Sequence, residues 1–314
     1  MSKLQSWKTI NSLGLSLGFS LGLVGLISIA SWAQEENRGG PEQDYQSFKN
    51  LVYSQVGDRR LRLDLYVPKQ EQSPSLIVWI HGGAWRHGSK RLSPQRVQEV
   101  VEQGYALATV EYRLSQDAIF PAQIHDCKAA IRWLRAHAKE YGVDATQIGV
   151  WGASAGGHLV SLLGTSADVA ALEGEGGSPE QSSRVQAVCN WFGPTDFLLM
   201  NRQAPPGSRL DHDAADSPES QLIGAPIQSN PAKSQRANPV TYVTADDAPF
   251  LHMHGDRDLL VPFPQSELLH QALTEAGVLS RLYRIKGGGH GGPQFQSPQA
   301  RRAIWEFFDL HLRP

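Results

Sequence analysis

Two short stretches of this chain gather residue types suited to moving an acyl group. The first is Gly152-Ala153-Ser154-Ala155-Gly156, with the apolar run QIGVW before it and the helix-like run HLVSLLG after it. A serine set among small residues at a strand-to-helix junction sits on a turn too sharp for larger neighbours. Its hydroxyl then projects at the edge of the sheet, where the helix N-terminus and the N–H of Ala155 favour developing negative charge. The same serine could instead cap the following helix and do no chemistry. The second stretch is His81-Gly82-Gly83-Ala84-Trp85, directly after SLIVWI. A glycine-rich turn at a strand end can aim backbone N–H groups at an oxyanion that bulky side chains would block. Gly83 and Ala84 are the expected donors, alongside Ala155. A tight turn over a buried tryptophan is the other reading.

A serine needs a base, and the base needs orienting. Of eleven histidines, His290 in KGGGHGGP is the best placed, because it follows the strand-like RLYRI and is flanked by glycines. His81 reads as holding the glycine turn, His125 and His137 as helix surface or packing residues, and His158 as packing or bonding locally. The acid belongs between serine and histidine in chain order if strands and helices alternate as below. HGDRDLLVP offers Asp256 and Asp258. Asp258 is chosen to reach the far ring nitrogen of His290 and Asp256 to brace the turn, although spacing alone leaves both open.

The elements that must position these residues are legible in outline. LVYSQV and LRLDLYVP flank Gly57-Asp58 and read as a hairpin. The runs SLIVWI, YALATVEY, QIGVWG, VQAVCNWF, PFLHMHG and RLYRI are apolar strands, continuous enough to be buried on both faces. Helical spacing fills the gaps, most clearly in FPAQIHDCKAAIRWLRAHAKEYG with Gly142 as a stop, and in a last helix with Ser297 as N-cap and Pro298 at its first position. This order predicts one α/β domain with a mostly parallel central sheet, an N-terminal antiparallel hairpin and helices on both faces. Residues 197–242 break the rhythm. They are rich in Pro, Ser, Asn, Asp and Gly and too long for an ordinary connection, so they are expected to form a lid or substrate-facing insertion. Asp211, Asp213 and Asp216 within it lack a calcium-loop pattern and read as a solvated loop.

Composition narrows the function classes. The chain has 314 residues, 40% hydrophobic and 19% charged, with a formal net charge of -2, and shows no basic footprint for nucleic acid. Its two cysteines, Cys127 and Cys189, fall in apolar segments, where they could pair or act as small apolar residues. Their spacing offers no metal site, and no metal or other cofactor is expected. At the N-terminus Lys3 and Lys8 precede a glycine-spaced apolar run, and Ser31 and Ala33 form a small-x-small cleavage pattern. Residues 1–33 therefore read as a secretory signal or as an uncleaved anchor, the one arrangement in which a membrane is involved. Either exports the body to the periplasm or medium. Residues 34–48 read as a polar linker and 49–314 as the domain.

The ordered set HGGAW, GASAGG, NWFGPTDF, HGDRDLLVP and GGGHGG resembles the α/β-hydrolase fold. Within it, the set is similar to the bacterial esterases grouped as feruloyl and acetyl-xylan esterase-like, and more distantly to the hormone-sensitive-lipase relatives. The resemblance covers essentially the whole chain after the leader. It implies Ser154 as nucleophile, Asp258 as acid, His290 as base and HGGAW as oxyanion turn. Those lipase relatives usually carry His-Gly-Gly-Gly and Gly-Asp-Ser-Ala-Gly, from which Ala84 and Ala153 depart. With the export signal, it implies a small-molecule or polysaccharide ester as substrate, with an acetyl or feruloyl group. Trp85, Trp191 and Phe192 could line the site, and Trp191 reads equally well as packing. An HGG-x-W turn also resembles kynurenine formamidases, and the serine and histidine loops resemble prolyl-oligopeptidase-like peptidases. An inactive scaffold used for binding is the alternative from outside catalysis.

Overall fold

Gly57 and Asp58 turn the chain between β1 (Tyr45–Val56) and β2 (Arg59–Pro68), which pair antiparallel with Val56 opposite Arg59. The computed structural model describes residues 44–208 and 210–313. β1 thus begins inside the segment expected to be linker, and the apolar N-terminal run lies outside the described residues. No helix among the described residues is long and apolar enough to cross a membrane.

β2 pairs antiparallel with β4 (Ala106–Val110), and from there every neighbour is parallel: β3 (Ser75–Ile80), β5 (Asp144–Ala153), β6 (Ala187–Trp191), β7 (Phe250–Gly255) and β8 (Ser280–Ile285). The order across the sheet is β1-β2-β4-β3-β5-β6-β7-β8. Since side chains alternate between faces along a strand, two apolar sets result. Leu76, Val78 and Ile80 of β3 join Ile148 and Val150 of β5 in one core, whereas Ile77 and Trp151 belong to the other.

Helices α2 (Ala122–Tyr141), α3 (Ala155–Thr165) and α8 (Pro264–Glu275) cover the first face, burying Ile124, Leu159 and Leu269 among others. Helices α1 (Pro94–Val101) and α9 (Pro298–Leu312) cover the second with Val97, Ile304 and Phe308. Gly142 ends α2 at φ 68°, and the Ser297 side chain accepts the Ala300 N–H at the start of α9. Cys127 and Cys189 are free, buried and in opposite cores, which settles their pairing against a disulfide. Between β5 and β6 lies the short α4 (Ala170–Glu173). Residues 197–242 fold into α5 (Met200–Gln203), α6 (Pro218–Ile223) and α7 (Pro231–Arg236), bracketed by 3-10 turns at Phe197–Leu199 and Pro239–Tyr242.

One topological feature positions the site. β4 lies on one side of β3 and β5 on the other, so the loops leaving β3 and β5 diverge to opposite faces and open a crevice at the carboxyl ends of the strands. The glycine turn follows β3 and the Ser154 elbow follows β5.

Candidate active site

Ser154 sits between β5 and α3 at φ 57° and ψ -122°, a backbone state costing on the order of 1–3 kcal/mol for a residue with a side chain. Two bonds hold it. Its N–H donates to the Trp191 carbonyl at 2.9 Å, and its own carbonyl accepts from His158 N–H at 3.0 Å. The flanking glycines are needed for close approach: a Cβ on Gly152 would stand 2.3 Å from Gly156 O, and one on Gly156 would stand 2.1 Å from Ile80 O. The elbow therefore lies hard against the end of β3. Its helix leaves the Ala155 N–H outside the α-helical ladder, as at any helix N-terminus.

The turn after β3 meets it from the other side. A Cβ on Gly82 would be 2.6 Å from Ala153 O. Gly83, Ala84 and Trp85 all take positive φ, at 110°, 54° and 54°, with Gly83 O accepting from both Arg86 and His87 N–H. His81 stacks on Tyr112 with ring centroids 4.3 Å apart, and Tyr112 Oη donates to the His81 carbonyl at 2.9 Å. Burial lowers the pKa of His81. The ring props the turn, and its burial disfavours the charged form.

Ser154, His290 and Asp258 are connected in series. His290 Nε2 is 2.9 Å from Ser154 Oγ, and His290 Nδ1 is 2.7 Å from Asp258 Oδ2. Asp258 Oδ1 accepts the N–H groups of Leu260 and Val261 at 2.8 and 3.0 Å. Burial pushes the Asp258 carboxyl upward, but hydrogen bonds from His254 and His290 outweigh it and hold Asp258 well below the usual carboxylate range. With Asp258 ionised, Nδ1 carries the proton and Nε2 is left as the acceptor facing the serine hydroxyl. Asp256 accepts the Gly287 N–H at 2.7 Å and braces the loop after β8.

A pocket of about 90 Å³ opens at Ser154 and His290. Ala84, Trp85 and Ala155 line it, whereas Gly83 does not. The other wall comes from the insertion and the loop after β7, including Leu210, His212, Glu219, Leu260 and Val261. Wider clefts of about 660 and 730 Å³ open elsewhere, around Asp126 and around Lys90, and neither includes Ser154 or His290.

The aromatic expectation needs correcting at two positions. Trp191 is a core residue: it is 4% exposed, packs edge-on to Trp151 with centroids 5.0 Å apart, and its indole N–H points to Met253 Sδ at 3.2 Å. β6 alternation sends that side chain into the α1/α9 core, away from the pocket. Phe192 is buried against His290, its ring centroid 4.5 Å from the imidazole, and supports that ring without lining the pocket. His158 does not bond locally. Its Nε2 reaches the Ala237 carbonyl at 2.6 Å, tying α3 to the end of the insertion, and burial takes its pKa down to about 4 despite that bond.

Three residues escaped the sequence reading. His254, four positions before Asp258, has its Nε2 2.9 Å from Val261 O and 3.3 Å from Asp258 Oδ2, while Nδ1 lies 2.7 Å from Ser266 Oγ. The spacing His-x-x-x-Asp was a signal for it. His212 and Glu219 of the insertion pair at 3.0 Å. Their irregular surroundings gave no periodicity from which to infer a meeting.

A mostly parallel sheet, a serine elbow and a hydrogen-bonded His-Asp pair at its carboxyl edge define an α/β-hydrolase. Residues 63–273 match the BD-FAE family model, and the chain belongs to that family. Esterase LipC of Mycobacterium tuberculosis is 32% identical over 69% of this chain and 52% of its own length. Esterase LipQ of the same organism is 30% identical over 80% and 58%. The chain thus spans about half the length of the curated relatives it matches. Among solved structures, a truncated carbohydrate esterase from gut microbiota superposes with a TM-score of 0.78 at 33% identity, covering 87% of this chain and 99% of that one. The propionate-bound esterase Est2 of Thermogutta terrifontis superposes at 0.66 with 26% identity, covering 86% and 96%.

Proposed function

We propose that the protein is an exported serine esterase that removes short acyl groups, acetyl above all, from carbohydrate or other alcohol esters. The single observation that carries this reading is the hydrogen-bonded series Ser154–His290–Asp258 opening onto a pocket between two candidate oxyanion turns. The family and the named esterases similar to this chain support the reaction class, and the gut carbohydrate esterase supports the alcohol side.

In the first step His290 Nε2 takes the Ser154 proton as Oγ bonds to the ester carbonyl carbon. The N–H groups of Ala84 and Ala155 receive the oxyanion. His290 then returns the proton to the leaving alkoxide as the C–O bond breaks, and Asp258 stabilises the imidazolium in between. Water, deprotonated by the same ring, releases the acid and restores the serine.

The small, largely apolar space beside Ser154, about 90 Å³, supports a short acyl group rather than feruloyl. The small-x-small pattern ending at Ala33 supports export with cleavage before Gln34. The test is a hydrolysis panel of acetylated xylan, methyl ferulate, aryl esters of graded acyl length and N-formylkynurenine. The proposal expects turnover to fall steeply beyond short acyl chains. Preference for N-formylkynurenine or for ferulate would overturn it, and N-terminal sequencing of exported protein checks the cleavage.

A further inference from the structure

The pocket wall opposite the serine is mostly apolar, with Pro194, Leu210, Leu260 and Val261, yet the insertion places two buried polar side chains in it. His212 is 1% exposed and Glu219 3%. His212 Nδ1 donates to Glu219 Oε1 at 3.0 Å, which leaves His212 Nε2 and Glu219 Oε2 as the second polar atom of each side chain. Both atoms are buried and have no hydrogen-bond partner among the described residues.

Unmatched buried polar atoms are costly, and native interiors leave few of them. These two are not loose ends of a mobile loop. His212 N–H donates to Asn201 Oδ1 at 2.7 Å, the Ser217 hydroxyl caps the turn that carries Glu219, and Ser220 Oγ donates to Ala214 O at 2.8 Å. The surrounding network holds two unpaired polar atoms on residues that line the Ser154 pocket.

We propose that His212 and Glu219 form a hydroxyl-binding subsite that selects esters of polyhydroxylated alcohols, exchanging hydrogen bonds with substrate O–H groups near the scissile ester. The proposal rests on the esterase reading above. A hydroxyl is the group that fits, because it donates to the Glu219 oxygen and can either donate to or accept from the His212 nitrogen, and a sugar presents neighbouring O–H groups on a rigid ring. A site built to bond a substrate hydroxyl also rejects analogues that lack it, because its own buried groups then stay unpaired.

The test compares kcat/KM for a monoacetylated methyl xyloside and for cyclohexyl acetate, which share the acyl group and ring size and differ in hydroxyls. The readout is the ratio of the two. In the double variant His212→Leu with Glu219→Met, both polar groups leave together and no orphan is created. The ratio is expected to fall at least about tenfold, mainly through KM for the sugar ester. Glu219→Gln keeps the volume and one acceptor, so a smaller fall is expected there if the double variant is poorly folded. An unchanged ratio in either variant, or equal loss on both esters, would overturn the subsite. If the wild-type protein hydrolyses neither acetate and a fluorophosphonate leaves Ser154 unlabelled, the esterase reading itself fails, a result distinct from an unchanged ratio.

Discussion

His254 Nε2 lies 3.3 Å from Asp258 Oδ2, the same oxygen that His290 Nδ1 reaches at 2.7 Å. The Nε2–H of His254 is shared between that carboxylate and the Val261 carbonyl, while Ser266 O–H donates to the opposite nitrogen. His254 is a positioning residue: it fixes the carboxylate that orients the base. His254→Phe keeps the packing against Phe192 and Phe263 and removes the donor. A hydrogen bond to a charged group is worth roughly 1.5–3 kcal/mol, so kcat on a short-chain aryl ester should fall on the order of ten- to a hundredfold with little change in KM. Equal changes in kcat and KM would point to a distorted pocket instead.

Acid sensitivity follows from Asp258 and from two buried histidines, His158 and His252. Burial takes the pKa of His158 down to about 4 and that of His252 to about 3, whereas unfolded histidines titrate near 6.5. Between about pH 7 and 4 the unfolded chain therefore binds protons that the native chain refuses, and stability falls as pH falls. Asp258 has a depressed folded pKa, so its contribution is present above the unfolded value near 3.9 and is lost as pH drops below it. Thermal melts from pH 7 to 3 should show Tm falling through both windows. Asp258→Asn should flatten the lower one. A Tm independent of pH down to 4 would contradict the buried neutral histidines.

Gly156→Ala places a methyl 2.1 Å from the Ile80 carbonyl, a backbone atom that cannot swing aside. The elbow must then separate from β3. Overpacking of this kind costs about 1–3 kcal/mol, and kcat should fall about a hundredfold or more because the Ala155 N–H moves with the elbow. Near-normal kcat, measured on soluble folded variant, would show that the close approach is dispensable.

Glu173 ties together two cations of α2. It pairs with Lys128 and Arg132, both almost wholly buried, and burial lowers the pKa of each cation. Glu173→Ala strands two buried charges, at a cost of about 3 kcal/mol or more. Differential scanning calorimetry should show Tm lower by on the order of 5–10 °C. A change below about 1 °C would mean that solvent reaches these groups.

Trp191→Phe tests the corrected placement of that residue. A side chain packed on Trp151 and Phe295 should cost about 1–3 kcal/mol of stability when shrunk, with KM for short esters unchanged. A severalfold rise in KM at unchanged Tm would return Trp191 to the substrate pocket.

What was legible in the sequence was local. Glycines around Ser154 and in the turn after β3 announced positions where backbone must pass close, Gly291 and Gly292 after His290 positions of positive φ, and strand order brought those loops to one sheet edge. Trp191 and Phe192 misled because an aromatic residue suits a core and a pocket alike, and both pack on Phe295 in the α1/α9 core. His212 and Glu219 were invisible for a different reason. They stand in short helices and turns fixed by side-chain bonds such as those of Asn201 and Ser217, which leave no repeat in the sequence. The gain or loss of a titrating partner, as at His254 and Asp258, depends on a loop turning back on its own strand.

Activation of Ser154 as a nucleophile by His290 is tested most directly by treating the intact protein with a fluorophosphonate and mapping the modified peptide by mass spectrometry, in wild type, Ser154→Ala and His290→Ala. One phosphonyl adduct on Ser154 in wild type, none in Ser154→Ala and greatly slowed labelling in His290→Ala are predicted, with ester turnover lost in parallel by a factor on the order of 10⁴ or more. Unlabelled Ser154 in wild type, or wild-type ester turnover by Ser154→Ala, would contradict it.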